Sequence, residues 1–204
     1  MTLVVLRHGE SEWNASDRFA GWVDVGLTAT GRDEARTAGR QLRAASLVPD
    51  VVHTSRLARA VDTADLVVAG CGGPASAGLR TELLNERHYG TLQGMRRADA
   101  VARYGAGPVA RWRRGIDGRP PRDAEGRGES LADVRARLEP YVASTLLPQL
   151  AAGRTVLVVS HGNTIRMLRR LVEGLSDEQA CALEVPTGQP VVVQAQRPAS
   201  YSSI

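Results

Sequence analysis

Apolar and polar positions along the chain fall into two alternating patterns. Residues 2–6, Thr-Leu-Val-Val-Leu, form a short β-branched run that stops at Arg7-His8-Gly9, as a buried strand does. From Thr28 to about Ala45 the period becomes helical, with Ala35, Ala38 and Leu42 on one face and Thr28 placed as an N-cap. Residues 51–54 predict a second strand and 57–68 a second helix, which the stretch from Gly70 to Gly78 breaks. Residues 79–82 are a short strand candidate. The segment 96–114 predicts two short helices interrupted at Gly105 and Gly107, and 115–128, rich in Gly, Pro and Arg, predicts an exposed loop. A longer helix follows over 131–150, with Glu129 and Ser130 where a first turn begins. Residues 155–159, Thr-Val-Leu-Val-Val, carry the strongest strand pattern and end at Ser160-His161-Gly162, with a helix over 163–173 behind them. Residues 191–194 predict a last strand, and the tail from Arg197 a frayed end.

Strands alternating with helices imply an α/β fold, three layers α/β/α around a mostly parallel central sheet. The composition shows one regime throughout, so 1–204 is taken as a single domain. Two strands share one shape: an apolar run, a polar residue, His, Gly, then helix. In open α/β sheets ligands bind beyond the carboxyl ends of the strands. If these two are neighbours, His8 and His161 face one pocket. A lone histidine after a strand is more often structural, but two in the same context, each before a helix N-terminus able to hold an anion, point to chemistry.

Composition narrows that chemistry. All 26 Lys+Arg positions are arginine, which excludes a Schiff-base or P-loop lysine and supplies forked donors for phosphate and carboxylate oxygens. The net charge of +4 permits nucleic-acid binding, yet the arginines are mostly interspersed with acids. The clearest excess, around Arg111, Arg113 and Arg114, lacks the aromatics of a single-strand binder. A metal site is disfavoured by the missing ligand spacings and by the arginines. Cys71 and Cys181 stand in no metal or redox spacing and read as packing residues in a reducing cytoplasm. No apolar run approaches a membrane span, and 1–6 reaches Arg7 too soon for a signal peptide. His53, inside a strand, reads as structural; Trp13 and Trp22 read as packing beneath the site, and Trp112 as an anchor for the arginines after it.

Leu6-Arg-His-Gly-Glu-Ser-Glu-Trp-Asn14, with Ser160-His-Gly-Asn163, resembles the histidine phosphatase superfamily. Arg18-Phe-Ala-Gly-Trp22, Leu84-Asn-Glu-Arg-His-Tyr-Gly90 continuing to Leu92-Gln-Gly94, and Trp112-Arg-Arg114 are similar to the cofactor-dependent phosphoglycerate mutases, in the same order over roughly 3–194. The resemblance implies that His8 is phosphorylated, that Arg7, Asn14, Arg59 and His161 hold the phosphoryl oxygens, and that Glu86 is the general acid and base. It implies substrate contacts at Arg87, Tyr89, Arg113 and Arg114, and at Ala20, Gly21, Gly162 and Asn163. Arg97 joins them where relatives usually have lysine. Ser11 and His88 lie inside the matched stretches and join the substrate-binding set, His88 with the alternative of only orienting its loop.

The resemblance further implies 2,3-bisphosphoglycerate as phosphoryl primer without a metal, a small phosphorylated acid as partner, no nucleic acid or membrane, and a cytoplasmic location; a homo-oligomer is left open. Two departures matter. Ala20 replaces a usual Ser or Thr, and the loop 115–128 and the C-terminal tail are shorter than in many mutases, which opens the pocket to water and favours hydrolysis. The alternative enzyme is therefore a histidine phosphatase acting on a small phosphorylated acid. An arginine-rich binding module is the non-enzymatic alternative, with no need for His8 and Glu86 together.

Overall fold

The computed structural model describes residues 2–73 and 79–194. Among these residues four strands form, β1 (Thr2–Arg7), β2 (Val51–Thr54), β3 (Thr155–Ser160) and β4 (Pro190–Val193), in the order β2-β3-β1-β4. β1 and β2 each pair in parallel with β3, and β4 runs antiparallel along β1. The helices are α1 (Glu12–Ala15), α2 (Ala29–Ala44), α3 (Ala58–Cys71), α4 (Arg97–Tyr104), α5 (Ala106–Arg114), α6 (Leu131–Tyr141), α7 (Leu147–Ala151), α8 (Gly162–Glu173) and α9 (Asp177–Ala182). The expected α/β/α layering with a mostly parallel sheet is what forms.

Side-chain alternation along the strands sets the layers. Leu3, Val5, Val156 and Val158 face α6 and α8, joined by Leu131, Val134, Leu138, Ile165 and Leu168. Val4, Leu6, Leu157 and Val159 face the other way, onto α2 and α3 through Ala35, Ala38, Leu42, Ala60, Ala64 and Val67. Burial on both faces is why these strands read as continuous apolar runs. A third, smaller cluster of Phe19, Leu92, Ala100 and Val109 joins α4 and α5 to the loops beside the sheet, and Trp112 packs on its edge.

Helix ends follow local chemistry. The Thr28 side chain accepts from the Gly31 N–H and starts α2. Ser130 and Asp133 form a capping box for α6, and Gly72 and Gly174 close α3 and α8 in left-handed conformation. α3 runs to Cys71, past the expected stop at 68, because its break comes only at Gly72.

Two expectations change, and two short helices are added to them. Residues 79–82 form no strand: Arg80 makes a single parallel bridge with Thr54, and Thr81 then caps a 3-10 turn, Glu82–Leu84. The helix over 131–150 is interrupted by a π turn, Val142–Leu146, in which the Leu147 N–H reaches back to the Val142 carbonyl; Pro148, next in line, has no N–H to donate. The short helices α1 and α9 were not anticipated, although Ser11 with Asn14 and Ser176 with Gln179 form capping boxes that start them. The part of the Gly70–Gly78 break after residue 73, and the tail expected to fray from Arg197, lie outside the described residues. No helix among the described residues is long and apolar enough to cross a membrane.

Candidate active site

β1 and β3 lie side by side with Arg7 opposite Ser160, and the His8 N–H extends the pairing to the Ser160 carbonyl at 3.0 Å. Both strands end at this level, so His8 and His161 leave the sheet together, with ring centroids 4.9 Å apart. The His8 Nδ1 lies 2.7 Å from the Gly9 carbonyl. A carbonyl only accepts, so Nδ1 carries the proton and Nε2 keeps its lone pair. Burial, then the cations of Arg59 and Arg7, push His8 well below the usual histidine range. Burial and Arg59 do the same to His161, whose Nε2 pairs with the Ser55 hydroxyl at 2.8 Å. An uncharged imidazole with a free Nε2 is a nucleophile near neutral pH.

A cavity of about 430 Å³ opens over His8. Arg59 is 1% exposed, and its two terminal nitrogens donate to the carbonyls of Val23 (2.9 Å) and Gly21 (2.7 Å). Burial lowers its pKa to about 10, which leaves it a cation at neutral pH. Arg7 donates to the Val185 carbonyl at 2.9 Å. The Nε atoms of Arg7 and Arg59 and the Nδ1 of His161 are buried without a hydrogen-bond partner among the described residues. Buried polar groups left unpaired cost free energy. Cations with idle donors around a neutral imidazole therefore suit an anionic ligand. Gly21, with φ +53°, is fixed in kind, because a Cβ there would meet the Gln93 Oε1 at 2.1 Å.

The Glu86 loop is strapped to the same ends of β3 and α8. Ser160 Oγ donates to the Leu84 carbonyl (2.8 Å) and Thr164 Oγ1 to that of Asn85 (2.7 Å). The Glu86 carbonyl accepts from the Trp22 indole (2.6 Å) and from Arg137 (3.2 Å), while its side chain takes the Arg87 N–H at 2.8 Å. Trp22 thus does more than pack: it holds the backbone of the carboxylate that lines the cavity.

The match to known proteins agrees with this layout. The histidine phosphatase superfamily (branch 1) matches residues 3–199. This chain belongs to that superfamily. Among its relatives, the 2,3-bisphosphoglycerate-dependent phosphoglycerate mutase of Clavibacter michiganensis subsp. michiganensis is 44% identical over 94% of this chain and 84% of its own. The protein of the same name from Thermobifida fusca is 44% identical over 95% and 86%. Among solved structures, a mycobacterial glucosyl-3-phosphoglycerate phosphatase in complex with VO3 superimposes with a TM-score of 0.79 at 29% identity, covering 94% of this chain and 91% of that one. A protein described as mycobacterial hydrolase 1 gives 0.80 at 29% identity, covering 94% and 87%.

In this superfamily member the cavity gathers Arg7, His8, Asn14, Ala20, Gly21, Arg59, Glu86, Tyr89, Arg97, Arg113, Arg114, Gly162 and Asn163 from the sequence-derived set. Ser11, Arg87, His88 and His161 do not line it. His161 is fully buried beside His8. Ser11, fully buried, donates its N–H and hydroxyl to the Asn14 Oδ1, which turns the Asn14 amide nitrogen outward. Arg87 is buried across the Tyr89 ring, 4.7 Å from its centroid, and donates to the Arg113 carbonyl. His88 accepts the Gly90 N–H at Nδ1 and faces Asp123, so it braces its loop. His53 pairs with the Tyr141 hydroxyl and with Gln149, both at 2.7 Å, in the structural place expected of it.

The cavity wall also contains Trp13, expected only to pack beneath the site, Arg18 and Phe19 from a matched motif but given no role, and Asp17, Arg166, Glu184 and Val185, which carried no expectation. Asp17 pairs with Arg97, and Glu184 with Arg114 at 3.1 Å. Arg166 was legible, since it lies one helical turn beyond Gly162 and Asn163 on the same face. Glu184 and Val185 carry no local signal; they reach the site only because the segment after α9 folds back over it.

Proposed function

We propose that this protein is a 2,3-bisphosphoglycerate-dependent phosphoglycerate mutase, acting in the cytoplasm as one domain over 1–204 and interconverting 3-phosphoglycerate and 2-phosphoglycerate through a phosphohistidine at His8. One observation carries the reading: a cavity lined by arginine meets the free Nε2 of a neutral, buried histidine beside a held carboxylate. The likeness to proteins of that name at 43–44% identity supports the same substrate.

The idle Nε donors of Arg7 and Arg59 fit a phosphate, so these residues would hold the primer with Asn14, while Arg97, Arg113 and Arg114 take its remaining charges. When bound, 2,3-bisphosphoglycerate supplies the phosphoryl group that charges His8. His8 attacks and is displaced through Nε2, and Nδ1 stays bonded to Gly9, which keeps the ring in one tautomer. Arg7 and Arg59 stabilise the charge spread over the phosphoryl oxygens in flight. His161 contributes from beside His8. Glu86 gives a proton to the leaving sugar-acid oxygen and takes one from the attacking hydroxyl. Tyr89, with Arg113, Arg114 and the Gly162-Asn163 backbone, orients the carboxylate end. The arginine lining repels a divalent cation, and no metal is assigned.

Hydrolysis is the second reading, supported by the phosphatase among the structural neighbours and by the short loop over 115–128. One assay separates them: 3-phosphoglycerate with trace 2,3-bisphosphoglycerate, following 2-phosphoglycerate and free phosphate together. The mutase reading requires 2-phosphoglycerate to form faster than phosphate; phosphate alone overturns it.

A further inference from the structure

Arg166 lies on the first turns of α8, 8% exposed, lines the cavity, and has no carboxylate partner among the described residues. Its Nε donates to the Leu183 carbonyl at 2.9 Å and its Nη1 to the Asn163 Oδ1 at 3.2 Å. Arginine has no acceptor, so the oxygen of the Asn163 amide must face Arg166 and its nitrogen must face away. That nitrogen donates to the Tyr89 hydroxyl oxygen at 3.0 Å. On its other side the same oxygen accepts from the Arg87 Nη2 at 3.3 Å. Both neighbours can only donate. The Tyr89 oxygen is thus an acceptor twice over, and its own hydrogen has to point elsewhere. Tyr89 lines the cavity, and among the described residues its hydroxyl donates no hydrogen bond.

We propose that Arg166 is a positioning residue which, by fixing the Asn163 amide, aims the Tyr89 hydroxyl hydrogen into the cavity as a ready donor for an anionic ligand. The chain runs one way: Arg166 to Asn163, Asn163 to Tyr89, Tyr89 to the ligand. Without Arg166 the Asn163 amide is free to turn over. Its oxygen then takes the hydroxyl hydrogen, and the ligand meets a lone pair where it met a donor. A full cation one turn behind the relay also polarises it, since hydrogen bonds in series strengthen one another. Arg166 keeps its charge at neutral pH even though burial lowers its pKa to about 10. The inference rests on the mutase reading only for the choice of ligand.

Calorimetric binding of 3-phosphoglycerate to the unphosphorylated protein tests it through a double-variant cycle. Tyr89→Phe and Arg166→Gln should each weaken binding by about tenfold or more, as loss of a hydrogen bond to a charged group does. The double variant should be no weaker than Tyr89→Phe alone, within about twofold. Arg166→Lys, which also only donates, should recover most of the affinity. Losses that multiply in the double variant mean that Arg166 grips the ligand by itself, and overturn the relay. Should Arg166→Gln fail to fold, the Lys variant decides: binding as weak as in Tyr89→Phe, in a folded protein, overturns the relay. A reading without ligand covers the case in which wild type does not bind 3-phosphoglycerate, a result that counts against the mutase and not against the relay. Side-chain amide protons of Asn163, followed by NMR, should exchange at least about tenfold more slowly in wild type than in Arg166→Gln, and equal exchange overturns the relay.

Discussion

His8 shows how few contacts keep an imidazole neutral with one nitrogen unpaired. One carbonyl fixes the tautomer, burial and two arginines keep the ring neutral, and Nε2 opens on the cavity. His8→Ala should abolish acid-labile labelling by 2,3-bisphosphoglycerate, and labelling that persists at another residue would remove His8 from its role. Arg59 illustrates why the cations here are arginines. Two of its nitrogens reach two different carbonyls while its Nε stays idle beside the cavity, a fork that a single ammonium cannot copy. Arg59→Lys leaves at least one of those carbonyls unpaired. We expect a loss of about 1–3 kcal/mol in denaturant-derived stability, together with a fall in kcat/KM. A lysine variant as stable and as active as wild type would reduce Arg59 to a generic positive charge.

Among the secondary-structure elements, the loop carrying Glu86 depends on its neighbours for its shape. Its carbonyls are held by side chains of β3, α6 and α8 and by the Trp22 indole. Glu86→Gln preserves size and that frame but moves no proton. Isomerisation should fall by at least about 10²-fold, while p-nitrophenyl phosphate, whose leaving group needs little protonation, still labels His8. Near-normal isomerisation in this variant would mean that another group transfers the proton. Helix packing offers a second test. A Cβ on Gly39 of α2 would lie 2.6 Å from the Val67 carbonyl of α3, whereas one on Gly107 of α5 meets nothing within 4 Å. Replacing a helical Gly by Ala gains up to about 1 kcal/mol in propensity, but overpacking a close contact costs about 1–3 kcal/mol. Gly39→Ala should therefore lower the urea midpoint and Gly107→Ala leave it unchanged or raise it; the reverse order would contradict the close approach of α2 and α3.

For the molecule as a whole, acid is the predicted weakness. Burial is the largest influence on His8, His53, His88 and His161, and all four stand below the usual histidine range in the fold. The unfolded chain takes up protons near its ordinary value of about 6.5, and the folded chain does so only at lower pH. Between those values the unfolded state binds more protons, so stability is fully present above about pH 6.5 and is lost as pH falls below it. The lowered carboxylates, Asp123, Asp133 and Glu178, act in the same direction only at still lower pH. A urea midpoint as high at about pH 5.5 as at about pH 7.5 would contradict the neutral buried histidines. Chelators should leave turnover unchanged, because the cavity is lined by arginine; activity lost in EDTA and restored by zinc, magnesium or manganese would overturn the metal-free reading.

Local signals were enough for much of this. Period and capping residues placed β1, α2, β3 and α8, and the similar endings at His8 and His161 anticipated that the two rings lie together, because each depends on residues adjacent in the chain. Likewise, the residues matched to known motifs mostly line the cavity, since a motif is a short stretch that must meet a ligand. What lay beyond sequence reasoning came from contacts between distant segments. Residues 79–82 had strand character but found only Thr54 to pair with, so the tendency was not realised. Ser11 and Arg87 carried the right chemistry within matched stretches, yet they face inward and act on Asn14, Tyr89 and the Arg113 backbone. Glu184 and Val185 form cavity wall only because the segment after α9 crosses the ends of β1 and α5, where Arg7 and Arg114 bind it. The direction of the Tyr89 hydroxyl is the furthest removed. It depends on donors from two segments, the loop of Arg87 and the first turns of α8, and hydrogen-bond complementarity between them exists only once the chain has closed.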